Sequence, residues 1–322
     1  MEFIFKKISS LSAAFILVLL TAVFIVLFLY AKPAIKKYGL HFIIDPRWDV
    51  SVPIKEKTPT KTNNIKSQKN KNNNIEVSDA DVLAALGITN TNAKTETIYG
   101  GLVPLVGTIL STLIAMLFAV PIAMGIAIFL SEISPPLINK PVGIAIELLA
   151  AIPSIIYGMW GLFYFGPFIS HIFGGSSVSL LVAGLVLGIM IIPFMASLTR
   201  DSMNTTPNIL KESAYAMGAT KFEVIKDIIF PYARKGIIGS IILALGRALG
   251  ETMAVAFVIG GVFTFPKKIT DPTVSIPVVL ANNFAESSGM SLSALFYLAL
   301  ILFILSFIII FSAKFYFLKN KN

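Results

Sequence analysis

Apolar residues along this chain are concentrated in six long runs, which are separated by polar segments. The first run lies within residues 1–31 and ends in Tyr30-Ala31-Lys32-Pro33 rather than in the small residues of a cleavage site, which predicts a retained helix. Each run is long enough to cross roughly 30 Å of hydrocarbon. The pattern predicts an all-α membrane protein with six transmembrane helices. The five further runs cover residues 102–130, 143–166, 178–199, 237–264 and 292–313.

The composition agrees with a membrane protein and excludes several other classes. Of the 322 residues, 56% are hydrophobic and 13% are charged, and the mean hydropathy is +0.82. The net charge of +9 does not indicate nucleic-acid binding, because no stretch interleaves basic and aromatic residues. The chain has no Cys and no H-E-x-x-H, G-x-S-x-G or G-x-x-x-x-G-K-[ST] motif. The sequence therefore predicts no metal site, no cofactor, no hydrolase site and no phosphate-loop ATP site.

Lys and Arg at the ends of the apolar runs predict the orientation. They cluster at the two termini and in the loop of residues 200–236, which an even number of spans places on one side, the cytoplasm. Residues 32–100 hold eleven of the 26 Lys and Arg but are predicted to lie outside, because long segments cross membranes largely regardless of charge. The predicted organisation is an N-terminal transmembrane helix (1–31), an extracytoplasmic segment (32–100) with a polar insertion over 53–97, and a five-helix core (101–318).

The loop over residues 207–231 has the signals of two helices joined by a sharp turn. Pro207 suits the first turn of a helix, Gly218 suits a left-handed helix end, and Thr220 with Glu223 predicts a capping box for a second helix. Pro231 is expected to end that second helix. Its apolar positions recur at helical spacing and predict an exposed stripe, which would rest on lipid headgroups or in a groove of another protein. The stripe consists of Phe222, Ile225 and Ile229.

The same loop resembles the EAA loop of binding-protein-dependent ABC importer permeases. The pattern of that loop is E-A-A, three residues, G, nine residues and I-x-L-P. Ser213 and Phe230 depart from that pattern, and both departures are conservative in size or apolarity. The resemblance implies that the loop docks on a separate cytoplasmic ATPase, so that this chain is not itself an enzyme. It favours the protein groove over the lipid surface. The matching positions are Glu212, Ala214, Gly218, Ile228 and Pro231, to which Phe222 and Ile225 are added as predicted coupling residues.

Two further stretches resemble the PstC-type permeases of phosphate-specific ABC transporters. One is ELLAAIPSIIYGMWGL, residues 147–162, and the other is LGRALGETMAV, residues 245–255. The resemblance covers nearly the whole chain except about residues 53–97. It implies the type I ABC importer permease (MetI-like) fold with an extracytoplasmic insertion, in a bacterial inner membrane. It also implies inorganic phosphate as substrate, a PstA-type sister permease, a dimer of cytoplasmic ATP-binding subunits and an extracytoplasmic phosphate-binding protein.

Two alternatives to phosphate import stay open on the sequence. A permease of the same architecture could carry another oxyanion, such as sulfate or molybdate. A secondary transporter driven by an ion gradient would need no cytoplasmic docking loop, and it would show inverted internal repeats, which this sequence does not show.

Three ionisable residues fall inside the predicted spans: Glu147, Arg247 and Glu251. A charge at a helix centre costs roughly 2.5–3.5 kcal/mol on insertion scales, so such residues usually pair or face a polar path. Arg247 and Glu251 are four residues apart and are expected to share one helix face. The planar fork of Arg suits phosphate oxygens, and we expect all three residues to line the substrate path. The alternative is an internal salt bridge that only orients the fifth helix.

Overall fold

The structure, a computed structural model, describes residues 2–53 and 95–319. Most of the predicted insertion over 53–97 therefore lies outside the described residues. The chain divides into two compact units, one of Met1–Pro46 with Gly100–Asn322 and one of Arg47–Tyr99. The helices of the first unit are α1 (Glu2–Tyr38), α2 (His41–Ile44), α3 (Leu102–Ile128), α4 (Pro136–Ala151), α5 (Ser154–Trp160), α6 (Gly166–Phe173), α7 (Leu180–Asn204), α8 (Asn208–Ala216), α9 (Lys221–Glu223), α10 (Phe230–Leu249), α11 (Met253–Val258), α12 (Ile276–Asn283) and α13 (Gly289–Lys319).

Three π-helical turns extend these helices and build the longer spans. Phe129–Ile133 extends α3, Gly161–Phe165 joins α5 to α6, and Val224–Ile229 joins α9 to α10. Within the described residues, six helical stretches are long and apolar enough to cross a membrane, which confirms the predicted number. These six spans are Phe5–Tyr38, Leu102–Ile133, Ser154–Phe173, Leu180–Asn204, Lys221–Leu249 and Gly289–Phe315.

The fourth span lies at the centre of the bundle, and two glycines let the second span approach it closely. A Cβ added to Gly184 would lie 2.6 Å from the side chain of Ile114, and one added to Gly188 would lie 3.2 Å from the carbonyl oxygen of Ala115. Small residues at helix interfaces permit such backbone approach in membrane proteins. The second and fourth spans are therefore tightly packed. The fifth span also packs on the fourth, and the 207–231 loop joins these two spans.

The first span is longer than the sequence predicted. We expected the helix to end at residue 31, but α1 continues through Pro33 to Tyr38. Its last turns are held by packing, because Ala31 and Ala34 are fully buried and Tyr30 stacks on Phe296 of the sixth span with ring centroids 4.8 Å apart. Tertiary contacts thus override the helix-breaking tendency of Pro33.

The third predicted span, residues 143–166, is wrong in its bounds. The chain breaks at Ile152, whose ψ of 131° is extended, and Pro153 precedes a new helix, α5. A residue before proline is sterically driven away from helical backbone angles, which explains the break. The span that results is Ser154–Phe173, and α4 is a separate helix before it.

The fifth predicted span, residues 237–264, is wrong at both ends. The helix starts at Lys221 and stops at Leu249, with Gly250 at its C-cap. Pro231 does not end a helix, because it is the second residue of α10 and lies in its first turn, where a missing N–H costs little. The second helix of the 207–231 loop is therefore the start of the fifth span.

The second unit contains the only strands among the described residues, an exception to the all-α prediction. Strands β1 (Trp48–Pro53) and β2 (Thr95–Tyr99) pair antiparallel, with Trp48 opposite Tyr99. The two rings meet edge to face with centroids 5.3 Å apart, and the Tyr99 hydroxyl donates to Asp49 Oδ1 at 3.2 Å. The chain leaves the pair at Pro53 and returns at Thr95, so the polar insertion is closed at its base by this ladder.

Candidate functional site: the 207–231 segment and the charges of the broken spans

The turn of the 207–231 segment has the geometry that its sequence predicted. Helix α8 ends at Ala216, and Gly218 has a φ of +86°, a left-handed conformation that glycine adopts without steric cost. The Thr220 backbone N–H donates to Glu223 Oε2 at 2.7 Å, and the Thr220 hydroxyl accepts from the Glu223 N–H. The predicted capping box is confirmed, and it fixes the direction of the chain after the turn.

The predicted exposed stripe is wrong in two of its three members. Ile225 and Ile229 are buried in a cluster with Ala127 of α3 and Met203 of α7. Only Phe222 is exposed, at 70%. The helical periodicity is real, but it faces the second and fourth spans rather than lipid or a partner. Ile228 packs partly against the same cluster.

The accessible surface of the segment instead surrounds the turn. Glu212 is exposed, and Ala214 is half-buried beside it. Met217, which no sequence motif singled out, is 89% exposed directly before Gly218. A cavity of about 370 Å³ opens here, and its lining includes Ala214, Met217, Gly218, Glu223 and Asp227. In the sequence, a Met directly before the predicted left-handed glycine is the signal that could have identified this face.

Two contacts hold α8 and the end of the fourth span to the second span. Lys211 Nζ lies 2.6 Å from Glu132 Oε1, and these side chains are only 16% and 8% exposed. One residue earlier on the second span, the Ser131 hydroxyl lies 3.5 Å from Met203 Sδ. In the sequence, Lys211 indicates only the orientation of the chain, because a partner 79 residues away could not be identified from one sequence.

Arg247 and Glu251 do not form the expected pair. Helix α10 ends at Leu249, so Glu251 lies beyond it and accepts a hydrogen bond from the Ala254 N–H at 3.2 Å, at the start of α11. Within the described part of the chain, no carboxylate lies within ion-pair distance of Arg247. Its guanidinium lies 5.4 Å from the ring centre of Phe194 on the fourth span. The alternative of a salt bridge between Arg247 and Glu251 is therefore wrong.

Glu147 lies outside the six spans, whereas the sequence predicted it within the third span. It is on α4, its side chain is 56% exposed, and it accepts from Arg200 Nη2 at 2.8 Å. Arg200 also pairs with Asp201 at 3.0 Å. The structure thus gives Glu147 a partner at the end of the fourth span and does not bring it together with Glu251.

Comparison with known proteins identifies a family for most of the chain. Residues 97–319 match the family described as "Binding-protein-dependent transport system inner membrane component". The phosphate transport system permease protein PstC of Haemophilus influenzae is 40% identical, and the match covers 95% of this chain and 89% of that protein. PstC of Mesorhizobium japonicum is 37% identical, with 97% and 88% covered.

Solved structures with the same fold are permeases of other ABC transporters. An inward-facing structure of the MetNI methionine transporter matches with a TM-score of 0.54 at 20% identity, covering 67% of this chain and 94% of that one. A bacterial importer of the acidic polysaccharide alginate matches with a TM-score of 0.53 at 14% identity, covering 68% and 79%. At these identities the likeness concerns the fold, which is that of MetI-type importer permeases.

Proposed function

We infer which surfaces and residues carry the function of this protein from one premise. The chain belongs to the binding-protein-dependent transport inner membrane component family, among the PstC phosphate transport permeases. It is a multi-pass inner membrane protein and the permease subunit of a phosphate ABC transport system. It is not itself an enzyme, and it works in a complex with an ATPase and partner components. Such a subunit needs a surface that contacts the ATPase and a route along which phosphate crosses the bundle.

The proposed ATPase contact is the exposed face of the turn at Gly218. The observation that carries it is the combination of a left-handed glycine, an open cavity and the almost fully exposed Met217, on a segment anchored to the bundle by Ile225 and Ile229. Because the buried side of this segment packs against the spans, a movement of its exposed side would also move the spans. This face also includes Glu212, Ala214 and Phe222. Ile228 packs beneath it against the buried cluster, and Pro231 lies in the first turn of the adjoining helix α10.

The proposed partners follow from the family. They are a PstA-type sister permease, a dimer of ATP-binding subunits and an extracytoplasmic phosphate-binding protein. Vesicles that hold this chain with these subunits should take up labelled phosphate only with ATP inside and binding protein outside. Uptake that survives ATP depletion but stops on collapse of the ion gradient would instead identify a secondary transporter. Competition by sulfate or molybdate stronger than by phosphate would identify another oxyanion.

The proposed phosphate path passes Arg247. Its positive charge has no carboxylate partner among the described residues, and Phe194 of the fourth span holds the guanidinium from one side. Arg cannot lose its charge in a protein, so an anion that crosses the bundle beside the fifth span meets a fixed cation. Glu251 lies just beyond the end of the fifth span, four residues further along, and we assign it a gating role. We leave Glu147 out of the path, because Arg200 neutralises it.

The proposed orientation places both termini in the cytoplasm and residues 32–100 outside. Since the chain has no Cys, Ser67→Cys introduces one unique thiol into the Lys/Asn-rich part of the insertion. We expect a membrane-impermeant thiol reagent to label this variant from the outside of intact cells. Labelling only after permeabilisation would show that the topology is the reverse of the proposed one. The control is Ser213→Cys, in the loop predicted to be cytoplasmic, which should be labelled only after permeabilisation.

A further inference from the structure

We propose that the buried ion pair between Lys211 and Glu132 is a positioning contact through which the 207–231 segment holds the second span during coupling. This inference rests on the proposed role of that segment in docking the ATPase. It assigns a function to two residues that no sequence motif identifies. It also gives α8 a polar attachment to the second span, besides the apolar contact that Ala127 makes with the second half of the segment.

The placement of the two residues is the first argument. Lys211 is on α8, one residue before Glu212, at the start of the exposed face of the segment. Glu132 is in the π-helical turn Phe129–Ile133, at the C-terminal end of the second span. Their 2.6 Å contact therefore joins α8 to a span that is not its neighbour in the chain.

The burial of the pair is the second argument. Side-chain exposures of 16% for Lys211 and 8% for Glu132 place both charges largely out of water. A surface ion pair contributes little, whereas removal of one partner from a buried pair leaves an uncompensated charge and is strongly destabilising. The Arg200–Glu147 pair differs in burial, because the Glu147 side chain is 56% exposed. Of these two pairs, only Lys211–Glu132 has both side chains largely buried, so the loss of one partner is expected to cost more there.

The surroundings of the pair are the third argument. The second half of the segment already packs on the same part of the second span, where Ala127 joins the buried cluster of Val224, Ile225 and Ile229. That apolar contact mainly holds the start of the fifth span, and from α8 only Ala214 packs partly against it. The ion pair supplies the attachment on the α8 side. With both attachments, the two arms of the turn and the end of the second span are held as one unit.

Charge substitutions test this role in the assembled complex. With the partner subunits in vesicles, Glu132→Gln and Lys211→Met should each lower the phosphate transported per ATP hydrolysed by roughly 2- to 30-fold, the range typical of residues that carry coupling. The double variant Glu132→Lys with Lys211→Glu should recover most of that ratio, because it restores the pair with reversed charges. A ratio equal to wild type in the single variants, or a reversed pair that fails as they do, would overturn the proposal.

A covalent link tests the positional role even where a single variant assembles poorly. Glu132→Cys with Lys211→Cys provides the only two thiols of the chain. We expect low uptake from this variant, restoration when a short reducible bifunctional thiol reagent joins the two positions, and loss again after reduction. Each single-Cys variant with the same reagent is the matched control. Uptake that stays low after joining, or that was never low, would refute the proposal.

A failure of this inference can be told apart from a failure of the proposed docking surface. If the segment does not couple to the ATPase, Gly218→Asp in the same vesicles will retain hydrolysis stimulated by the binding protein. If only the role of the ion pair is wrong, Gly218→Asp will lose that stimulation while the variants of Lys211 and Glu132 keep the wild-type ratio.

Discussion

Replacing Arg247 by Gln is expected to lower phosphate uptake by at least about 100-fold while the protein still reaches the membrane. A guanidinium can hold a phosphate through two charge-assisted hydrogen bonds, each contributing about 1.5–3 kcal/mol, and Gln retains neither the charge nor the fork. Because Arg247 has no carboxylate partner among the described residues, its removal leaves no acid unpaired in that part of the bundle. Uptake of labelled phosphate, normalised to the amount of protein in the membrane, measures the effect.

Two variants serve as controls for the Arg247 prediction. Arg247→Lys keeps the charge but loses the planar fork, so we expect uptake between that of Gln and wild type. Glu251→Gln should have a small effect, since the Gln side-chain oxygen can still accept the hydrogen bond from the Ala254 N–H. Wild-type uptake in Arg247→Gln would remove Arg247 from the phosphate path. A loss in Glu251→Gln as large as that in Arg247→Gln would mean that the carboxylate charge is equally required.

Replacing Gly218 by Asp is expected to abolish the stimulation of ATP hydrolysis by the loaded binding protein, with phosphate uptake lost and subunit levels intact. A Cβ at this position would meet no atom within 4 Å, so the folded chain has room for the side chain. The left-handed backbone costs about 1–2 kcal/mol for ordinary residues, and less for Asp and Asn. The damage therefore arises at the contact surface, where a new carboxylate beside Glu223 and Asp227 would have to be desolvated.

The matched control for this prediction is Gly218→Asn. Asn has nearly the same size and the same tolerance of the left-handed conformation, but it carries no charge. If the turn docks on the ATPase, like-charge and desolvation costs of several kcal/mol should separate the two variants by well over about tenfold in stimulated hydrolysis. Normal stimulated hydrolysis in Gly218→Asp would show that this turn is not the coupling contact. Equal loss in both variants would show that side-chain bulk, and not charge, is excluded there.

Local signals in the sequence predicted the parts of this protein that depend on short-range physics. Six apolar runs are sufficient to predict six spans, because hydrocarbon thickness sets the length of each helix. The left-handed Gly218 and the Thr220–Glu223 capping box were also predictable, since backbone sterics and hydrogen bonds within four residues decide them. The spacing of Glu212, Ala214 and Gly218 was enough to indicate the family.

Only the tertiary structure decided which charges meet and which apolar faces are covered. Arg247 and Glu251 are at ideal spacing for a helical pair, yet α10 ends at Leu249 and Glu251 lies beyond it. Ile225 and Ile229 have the pattern of an exposed stripe, but the second and fourth spans cover them. Lys211 meets Glu132, a residue 79 positions away, because the folded chain brings α8 against the end of the second span. Helical periodicity is a property of neighbours in the chain, whereas burial and ion pairing depend on residues brought together from distant segments, and no local pattern specifies those.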